Sequence, residues 1–219
     1  MIVAGGALVA RAQIPEPSLP RPGAVVVADV VGEVVAGADD QRKPVKADDR
    51  LRVGSTIVTG RRSLATIALS NGAALRIGSE SEVEVEEFGQ ATVSGSIKFS
   101  ELKEEPTISR TRLRLLKGDV TVEVKPLKVE RGSSFMLTMT AGTVRISEGA
   151  FHAMVRMSDL GLGVSTFELQ RGTAEFELPG GAFTPVPAGR KLAFAIELDR
   201  TTGVPKIGEM PKETPKAKE

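Results

Sequence analysis

Apolar and polar residues alternate at short intervals along most of the chain, and this pattern predicts β-strands. The clearest case is the stretch from Leu51 to Gly78, in which turn residues interrupt runs of β-branched and aliphatic residues. Asn71 and Gly72 lie between two such runs, and both tolerate the positive φ that a type I′ turn requires. The sequence therefore predicts a β-hairpin with its turn at these two residues.

Charged residues alternate with apolar residues in two further segments. Glutamates occupy alternate positions between Glu80 and Phe88, so one face of this predicted strand is acidic. Three arginines alternate in the same way farther along the chain. We hypothesise that the two strands are neighbours, because opposite charges that face each other across a ladder contribute about 0.2 to 1 kcal/mol per pair. The alternating residues are Glu82, Glu84, Glu86, Arg110, Arg112 and Arg114.

Short predicted strands continue from Arg110 onward, and glycines mark most of the joints between them. Their intervals are unequal, which argues against a solenoid of fixed period, and helical periodicity is absent from the sequence. The pattern predicts an all-β fold, an antiparallel β-sandwich that is jelly-roll-like, with flexible N- and C-terminal segments. The predicted strands in this part are 111–116, 119–125, 133–139, 142–147, 150–157, 163–170, 173–178 and 190–197.

The chain divides into four predicted segments. Residues 1–12 resemble the end of a secretory signal, with an apolar run followed by small residues on either side of an arginine. Prolines make residues 13–23 an extended spacer. The β domain is expected at 24–198, and residues 199–219, rich in Lys, Glu and Pro, are expected to be a disordered tail.

The N-terminal segment predicts an exported protein, located in the periplasm or outside the cell. Because the segment has no positively charged start, either the signal is atypical or the chain begins upstream of Met1. A cytosolic protein with an apolar N-terminus is the alternative. The apolar run is shorter than the about 20 residues that cross a bilayer, so no transmembrane helix is expected in the mature chain.

The composition argues against several classes of partner and chemistry. The 219 residues include 29 basic and 28 acidic ones, so no overall field attracts nucleic acid or anionic lipid. Phenylalanine is the one aromatic residue type, so the stacking platforms with a polar edge that sugars and single-stranded nucleic acids use are missing. The absence of cysteine excludes disulfides and thiolate nucleophiles.

Four features resemble reactive or metal sites, and each has a plainer interpretation. The aspartate doublets at 39–40 and 48–49 lack the close alternation of a calcium loop, so we expect a solvated loop without metal. Residues 100–103 match the S-x-x-K motif but lack a helical face and companion motifs. His152, the one histidine, is considered as a pH sensor, but we expect a partly exposed side chain without a functional role. The acidic strand face lacks a predicted pocket for acid–base work. We therefore predict no catalytic residue, metal or cofactor, and the sequence does not identify ligand-binding residues.

The hairpin region resembles the FecR domain, the periplasmic portion of iron-dicitrate-type sensor proteins. The shared pattern is a G-x-x-I-x-T-G turn, an alternating strand, a D/N-G turn and a short strand, and the resemblance spans about residues 24 to 195. One segment departs from it, because Ser147-Glu148-Gly149-Ala150-Phe151 replaces an arginine-glycine-threonine turn. The matching segments are 54–60, 63–69, 71–77, 32–35, 116–122 and 186–192.

The resemblance implies a role in signalling, since members of the family relay signals between an outer-membrane transporter and a cytoplasmic sigma factor. These 219 residues show no anti-sigma region, so complete relay by this chain alone is not expected unless a long N-terminal part precedes it. We expect a non-catalytic, FecR-like envelope domain that binds a protein partner or a component of the cell envelope. The alternatives are a structural envelope protein that self-assembles through edge strands and a carboxylate-dependent hydrolase or lyase on a β scaffold.

Overall fold

The computed structural model describes residues 21–38, 41–93, 99–199 and 201–209. In this part of the chain the helical elements are short 3₁₀ turns, such as Phe99–Glu101 and Val129–Arg131, and no helix is long and apolar enough to span a membrane. The strands are β1 (Arg21–Pro22), β2 (Val25–Val31), β3 (Val34–Gly37), β4 (Lys43–Pro44), β5 (Arg50–Leu51), β6 (Thr56–Thr59), β7 (Leu64–Leu69), β8 (Ala74–Ile77), β9 (Glu82–Gln90), β10 (Ser109–Val124), β11 (Ser134–Met139), β12 (Gly142–Met157), β13 (Leu162–Glu177), β14 (Thr184–Val186), β15 (Lys191–Leu198) and β16 (Pro205–Glu209).

Hydrogen bonds join these strands into one 16-stranded sheet. The long strands β10, β12 and β13 extend through two halves of this sheet and pair with additional strands in each half. In the first half of the sheet, the C-terminal part of β10 pairs with β8 and β12, and the N-terminal part of β13 pairs with β15. In the second half, the N-terminal part of β10 pairs with β9 and β11, and the C-terminal part of β13 pairs with β14. The predicted all-β fold is confirmed. The pairing of β10 with β11 is parallel, which differs from the purely antiparallel prediction, and the jelly-roll sandwich stays a prediction.

Both halves of the sheet contribute to a single hydrophobic core. In the first half, Ile67, Leu75, Val122 and Phe151 lie opposite one another on successive strands, and each is fully buried. A chain of phenylalanines continues through the core, with ring centroids 5.4, 6.0 and 5.1 Å apart. Its members are Phe151, Phe167, Phe176 and Phe194. Alternate positions of the strands therefore converge on one core, as the sequence pattern predicts.

Glycines that the sequence analysis places at joints between strands lie within continuous strands instead. The predicted breaks near Gly118, Gly149 and Gly172 are wrong, because β10, β12 and β13 run through them. These glycines have positive φ values of 84°, 120° and 96°. Gly149 and Gly172 face each other across β12 and β13, and a Cβ on Gly149 would lie 2.0 Å from the carbonyl oxygen of Arg171. The glycines permit bends and close backbone approach, so the strands change direction without ending.

Parts of the two segments predicted to lack structure form strands. Strand β1 lies in the predicted spacer and pairs with β9. Strand β16 lies in the predicted tail and pairs with β15, and its Ile207 packs against the core, which offsets the cost of ordering this polar segment. The turn before β16 is held by the carboxylate of Asp199, which accepts hydrogen bonds from the N–H groups of Thr201 and Thr202 at 2.9 Å each. Residues 1–20 and 210–219 lie outside the described residues.

The predicted hairpin at Asn71 and Gly72 is confirmed as β7 and β8, but its turn differs from the predicted type I′. The N–H of Leu69 donates to the carbonyl of Ala73, so three residues form the loop, and Gly72 has a φ of 92° whereas Asn71 has no positive φ. Asn71 is 1% exposed and its side-chain oxygen accepts a hydrogen bond from the Ala73 N–H at 3.1 Å. The asparagine therefore serves the turn through buried hydrogen bonds and not through its backbone conformation.

Candidate functional site

The acidic and basic strands predicted to be neighbours are β9 and β10, and they pair antiparallel in the second half of the sheet. Arg112 lies opposite Glu87, and Arg114 lies opposite Glu84. The hypothesis of facing charges is therefore confirmed. These charged side chains alternate with buried apolar ones such as Leu113, so they lie on the outer face of the sheet.

A bulge in this ladder adds a further acidic residue to the outer face. The register shifts between Arg112 and Leu113, so that Glu86 has no directly opposite residue on β10. The carboxylate of Glu86 forms an ion pair with the guanidinium of Arg114. The sequence pattern predicts the charged face, but it gives no signal for the bulge because the bulge depends on the pairing partner.

The charged residues of the ladder surround a shallow, solvent-open basin of about 590 Å³. Its floor contains Met136, Thr138 and Thr143 from β11 and β12. The side chain of Arg112 forms no hydrogen bond or ion pair with another described residue. We call this surface the charged basin, and its lining consists of Glu86, Glu87, Arg112, Arg114, Met136, Thr138, Thr143 and Glu177.

A second concave surface, the apolar groove, lies where β14 and β15 pair with different parts of β13, along the edge that faces away from β12. It has a volume of about 610 Å³. Phe176 and Phe194, stacked 5.1 Å apart, lie at its base and are 5% and 3% exposed. Its ionisable lining residue is Arg190. The lining consists of Phe176, Leu178, Gly181, Ala182, Thr184, Pro185, Val186, Pro187, Arg190, Leu192 and Phe194.

A second polar cluster is buried and joins segments that are distant in sequence. The Asn71 side-chain amide donates to the hydroxyl oxygens of Ser109 and Thr111 at 3.1 and 3.2 Å. The Ser109 hydroxyl donates to the carboxylate of Glu105 at 2.8 Å, and the N–H of Lys128 donates to the same carboxylate. We call this the buried polar network, and its members Asn71, Glu105, Ser109, Thr111 and Ser133 are all less than 5% exposed.

The network shows how a charged loop of the sequence becomes part of the interior. Glu105 belongs to a segment before β10 whose sequence is polar and charged, yet its side chain is 0% exposed. The N–H of Ser109 donates to the Ser133 hydroxyl at 3.2 Å, which connects the start of β10 to the segment before β11. Among the described residues, no buried side-chain nitrogen or oxygen lacks a hydrogen-bond partner. The network is therefore internally satisfied and offers no free polar atom to a ligand.

Sequence-predicted candidates elsewhere do not converge on one site. His152 lies on the outer face of the first half of the sheet, where its Nε2 is 3.8 Å from Oδ2 of Asp119 and both side chains are about one-third exposed. Asp49 accepts a hydrogen bond from the N–H of Lys46 at 2.9 Å, and Asp48 has a positive φ of 70°, so this doublet forms a turn. The doublet at 39–40 lies outside the described residues. Ser100, the first residue of the S-x-x-K match, lies in a three-residue 3₁₀ turn.

Another surface cluster joins β10 to β13 in the first half of the sheet. The carboxylate of Glu123 lies 3.2 Å from Nζ of Lys125 and 3.1 Å from a guanidinium nitrogen of Arg171. The hydrogen bond from Lys125 lowers the pKa of Glu123, and the nearby Arg171 acts in the same direction, while partial burial opposes them. The cluster is an exposed ion pair network, and among the described residues no group of acidic and histidine side chains is arranged to hold a metal ion.

A family model described as FecR protein matches residues 55–175, which is more than half of the chain. The chain belongs to the FecR family. Membership indicates a regulatory, signalling domain, and the matched residues include β6 to β12, most of β13 and all but one residue of the charged basin. A search of curated proteins found no match.

Two solved structures are similar to this chain at a distant level. Both are crystal structures of a protein described as an anti-sigma factor from Parabacteroides distasonis ATCC 8503, at 2.50 and 1.65 Å resolution. The sequence identities are 11% and 10%, and the TM-scores are 0.46 and 0.43. Each match covers 70% of this chain and 59% of the solved chain, so the likeness spans less than two thirds of those proteins and carries no functional argument.

Proposed function

We propose that this chain is a non-catalytic FecR-family domain of the cell envelope that binds a protein partner during signalling. The observation that carries the proposal is the family match at residues 55–175. The charged basin supports a binding role, because it presents charges of both signs on an open sheet face within the part of the chain that the family shares. Complementary charges on a partner would give such a face specificity and a faster rate of association.

The chemistry of the basin fits a protein partner better than other classes of ligand. A nucleic-acid site is dominated by basic residues that neutralise phosphates, whereas glutamates line this basin together with its arginines. A small-molecule site is usually an enclosed and mostly apolar pocket, whereas this basin is shallow and polar. Arginine is enriched at protein interfaces, and Arg112 forms no ion pair with another described residue that a partner would have to break.

Photo-crosslinking in the native organism tests the proposal. A photoreactive amino acid is placed at Thr138 on the floor of the basin, and at Arg156 on an exposed position of the first half of the sheet as a control. We expect a discrete protein adduct from the basin position, and we expect the Arg112→Glu substitution to abolish it. Equal adducts from both positions, or none from the basin, would contradict the proposal.

Export is tested separately by fusing the full chain to an alkaline phosphatase that is active only outside the cytoplasm. We expect activity with residues 1–12 present and loss of activity when they are deleted, since these residues resemble a cleavable signal. If the fusion is still active after the deletion, residues 1–12 are not the export signal and no longer support an envelope location.

Self-assembly is a second candidate function, and strand β16 favours it. This strand pairs with β15 on one side, and no described strand pairs with its other side. Unpaired strand edges are templates for pairing with another chain. Light scattering coupled to size-exclusion chromatography tests the candidate, because a monomer across the accessible concentration range would contradict it.

A carboxylate-dependent enzyme is the third candidate, since Glu86, Glu87 and Glu177 all line the charged basin. The ion pair between Glu86 and Arg114 and the open shape of the basin argue against it, because acid–base catalysis uses carboxylates in distinct, partly desolvated environments. Incubation with purified cell-wall polymers tests this candidate. We expect no turnover, and turnover that the Glu87→Gln substitution abolishes would replace the binding proposal with an enzymatic one.

A further inference from the structure

The apolar groove is a concave surface that the family match does not account for. Its lining residues extend from Phe176 to Phe194 and therefore follow the matched residues 55–175. Its volume of about 610 Å³ is within the range of about 300 to 1,000 Å³ that ligand pockets occupy. The groove is thus large enough to hold several side chains of a partner.

The base of the groove is a preformed part of the core. Phe176 and Phe194 stack with an interplanar angle of 12°, and Phe176 also contacts Phe167 in the chain of phenylalanines. Because these rings are fixed by packing on their inner side, an apolar side chain that enters the groove meets an ordered surface. Little conformational entropy is then lost by the protein when a ligand binds.

The rim of the groove exposes apolar surface that nothing in the described part of the chain covers. Leu178 is 42% exposed and lines the groove beside the prolines of β14 and the segment after it. Burying this surface against a partner is favourable in proportion to the apolar area removed from water. The rim therefore adds to the apolar base as a contact surface.

The positive charge of the groove favours apolar ligands that also carry a carboxylate. Arg190 lines it, no acidic residue does, and the Arg190 side chain has no hydrogen bond or ion pair to another described residue. This differs from the charged basin, where glutamates accompany the arginines. A ligand carboxylate that reaches Arg190 would form a charge-assisted hydrogen bond without competition from an acidic residue of the groove's described lining.

Strand addition is not the expected mode of binding at this edge. Strand β14 has three residues, and its central residue Pro185 has no N–H group to donate to an added strand. Recognition would therefore depend on side chains that enter the groove and on the charge of Arg190.

We propose that the apolar groove binds an extended segment of a partner protein that presents apolar side chains and one carboxylate. The apolar side chains contact Phe176, Leu178 and Phe194, and the carboxylate pairs with Arg190. This inference rests on the proposed binding function and adds to it the location and chemistry of a contact.

The test uses random peptides displayed on phage and selected against the purified full chain. Enriched peptides are then synthesised with a fluorescent label, and their affinities are measured by anisotropy. We expect enriched peptides to combine apolar residues with an Asp or Glu. The Arg190→Gln substitution should weaken binding about tenfold or more, the size expected for a hydrogen bond between charged groups. Replacing the acidic residue of the peptide by its amide should remove this difference.

Matched controls separate the groove from general surface effects. Leu178→Ser should weaken binding at least about threefold through lost apolar contact. Leu160→Ser changes a leucine that is 65% exposed in the turn before β13, and it should leave affinity unchanged, as should Arg156→Gln. Circular dichroism of each variant verifies that the fold is intact.

Four results would overturn the inference: no enrichment, enriched peptides without acidic residues, unchanged affinity for Arg190→Gln, or equal losses in the control variants. Dodecanoate is titrated in parallel, and if it binds through Arg190 while peptides do not, the groove is a lipid site and not a protein contact. The outcome is separable from that of the proposed function. If crosslinking at the basin gives an adduct but no peptide binds the groove, the proposed function is supported and this inference fails. If peptides bind the groove but no partner is found in the cell, the groove chemistry is supported and the proposed function fails.

Discussion

Polar side chains meet in two places in this protein, and their surroundings are opposite. In the buried polar network, Glu105 and Ser109 are fully buried and hydrogen-bonded to each other. In the ladder of β9 and β10, Arg114 pairs with Glu86, and their side chains are 49% and 18% exposed. Both places combine carboxylates with hydrogen-bond donors, so the difference between them is access to water.

This difference assigns the two places different roles. A buried polar atom must have a partner, because its desolvation otherwise destabilises the fold, and the network meets this requirement. An exposed ion pair competes with water and contributes little to stability, so its groups are available to a partner. The network therefore fixes the structure, whereas the ladder leaves its charged groups accessible for the recognition that we propose.

The largest effect is expected for Glu105→Ala. The substitution leaves the N–H of Lys128 and the hydroxyl of Ser109 without their buried acceptor, so we expect the free energy of unfolding to fall by about 3 kcal/mol or more. Urea denaturation measures this change. Glu104→Ala is the matched control, since Glu104 is 66% exposed in its pair with Lys128 and should contribute about 1 kcal/mol or less. Equal losses for the two variants would contradict the distinction between the buried polar network and exposed ion pairs.

Asn71→Ala should have the next largest effect. It removes the buried donors to Ser109 and Thr111 and the acceptor for the Ala73 N–H, so we expect a loss of about 2 to 3 kcal/mol. Ser79→Ala is the comparison, because the Ser79 hydroxyl accepts a hydrogen bond from the Arg62 N–H at an exposed turn. Its removal should lower the free energy of unfolding by about 1 kcal/mol or less. A loss below 1 kcal/mol for the asparagine variant would show that the network does not fix the hairpin.

The Glu86–Arg114 pair should contribute about 1 kcal/mol or less to stability. A double-mutant cycle with Glu86→Ala and Arg114→Ala isolates the coupling energy. Added salt should reduce the coupling further, because exposed charges are screened. A coupling energy above about 2 kcal/mol that is insensitive to salt would place the ladder among the structural interactions.

The smallest expected effect is the pH dependence that Glu123 contributes. The hydrogen bond from Lys125 lowers its pKa in the folded state, so its stabilising effect is present above the unfolded pKa and is lost as the pH falls through the lowered folded value. Because the side chain is 45% exposed, we expect the free energy of unfolding of Glu123→Gln to be lower than that of the wild type by about 0.5 kcal/mol or less at neutral pH. We expect no difference in strong acid. A difference that grows on acidification would contradict the assigned direction.

Local sequence signals were sufficient for the hairpin and for the pairing of the acidic and basic strands. Alternation identifies which face of β9 and β10 is charged, and Asn71 with Gly72 marks the turn between β7 and β8. The class of the fold and the FecR resemblance follow from the same local patterns, and both are confirmed.

Features that depend on contacts between distant residues could not be predicted in this way. A glycine in a turn and a glycine in a bent strand have the same sequence signature. Gly149 belongs to the second kind because it faces Gly172 across β12 and β13, which the sequence does not reveal. Glu105 lies in a charged loop, and its partners come from separate parts of the chain. The apolar groove likewise requires Phe176 and Phe194 to meet through the pairing of strands.

The central claim is that the charged basin serves recognition and not stability, and Arg112→Glu tests it most directly when unfolding and crosslinking are measured on the same variant. The account predicts a urea midpoint close to that of the wild type together with loss of the adduct from Thr138. A variant that is strongly destabilised, or one that keeps both its stability and its adduct, would contradict the account.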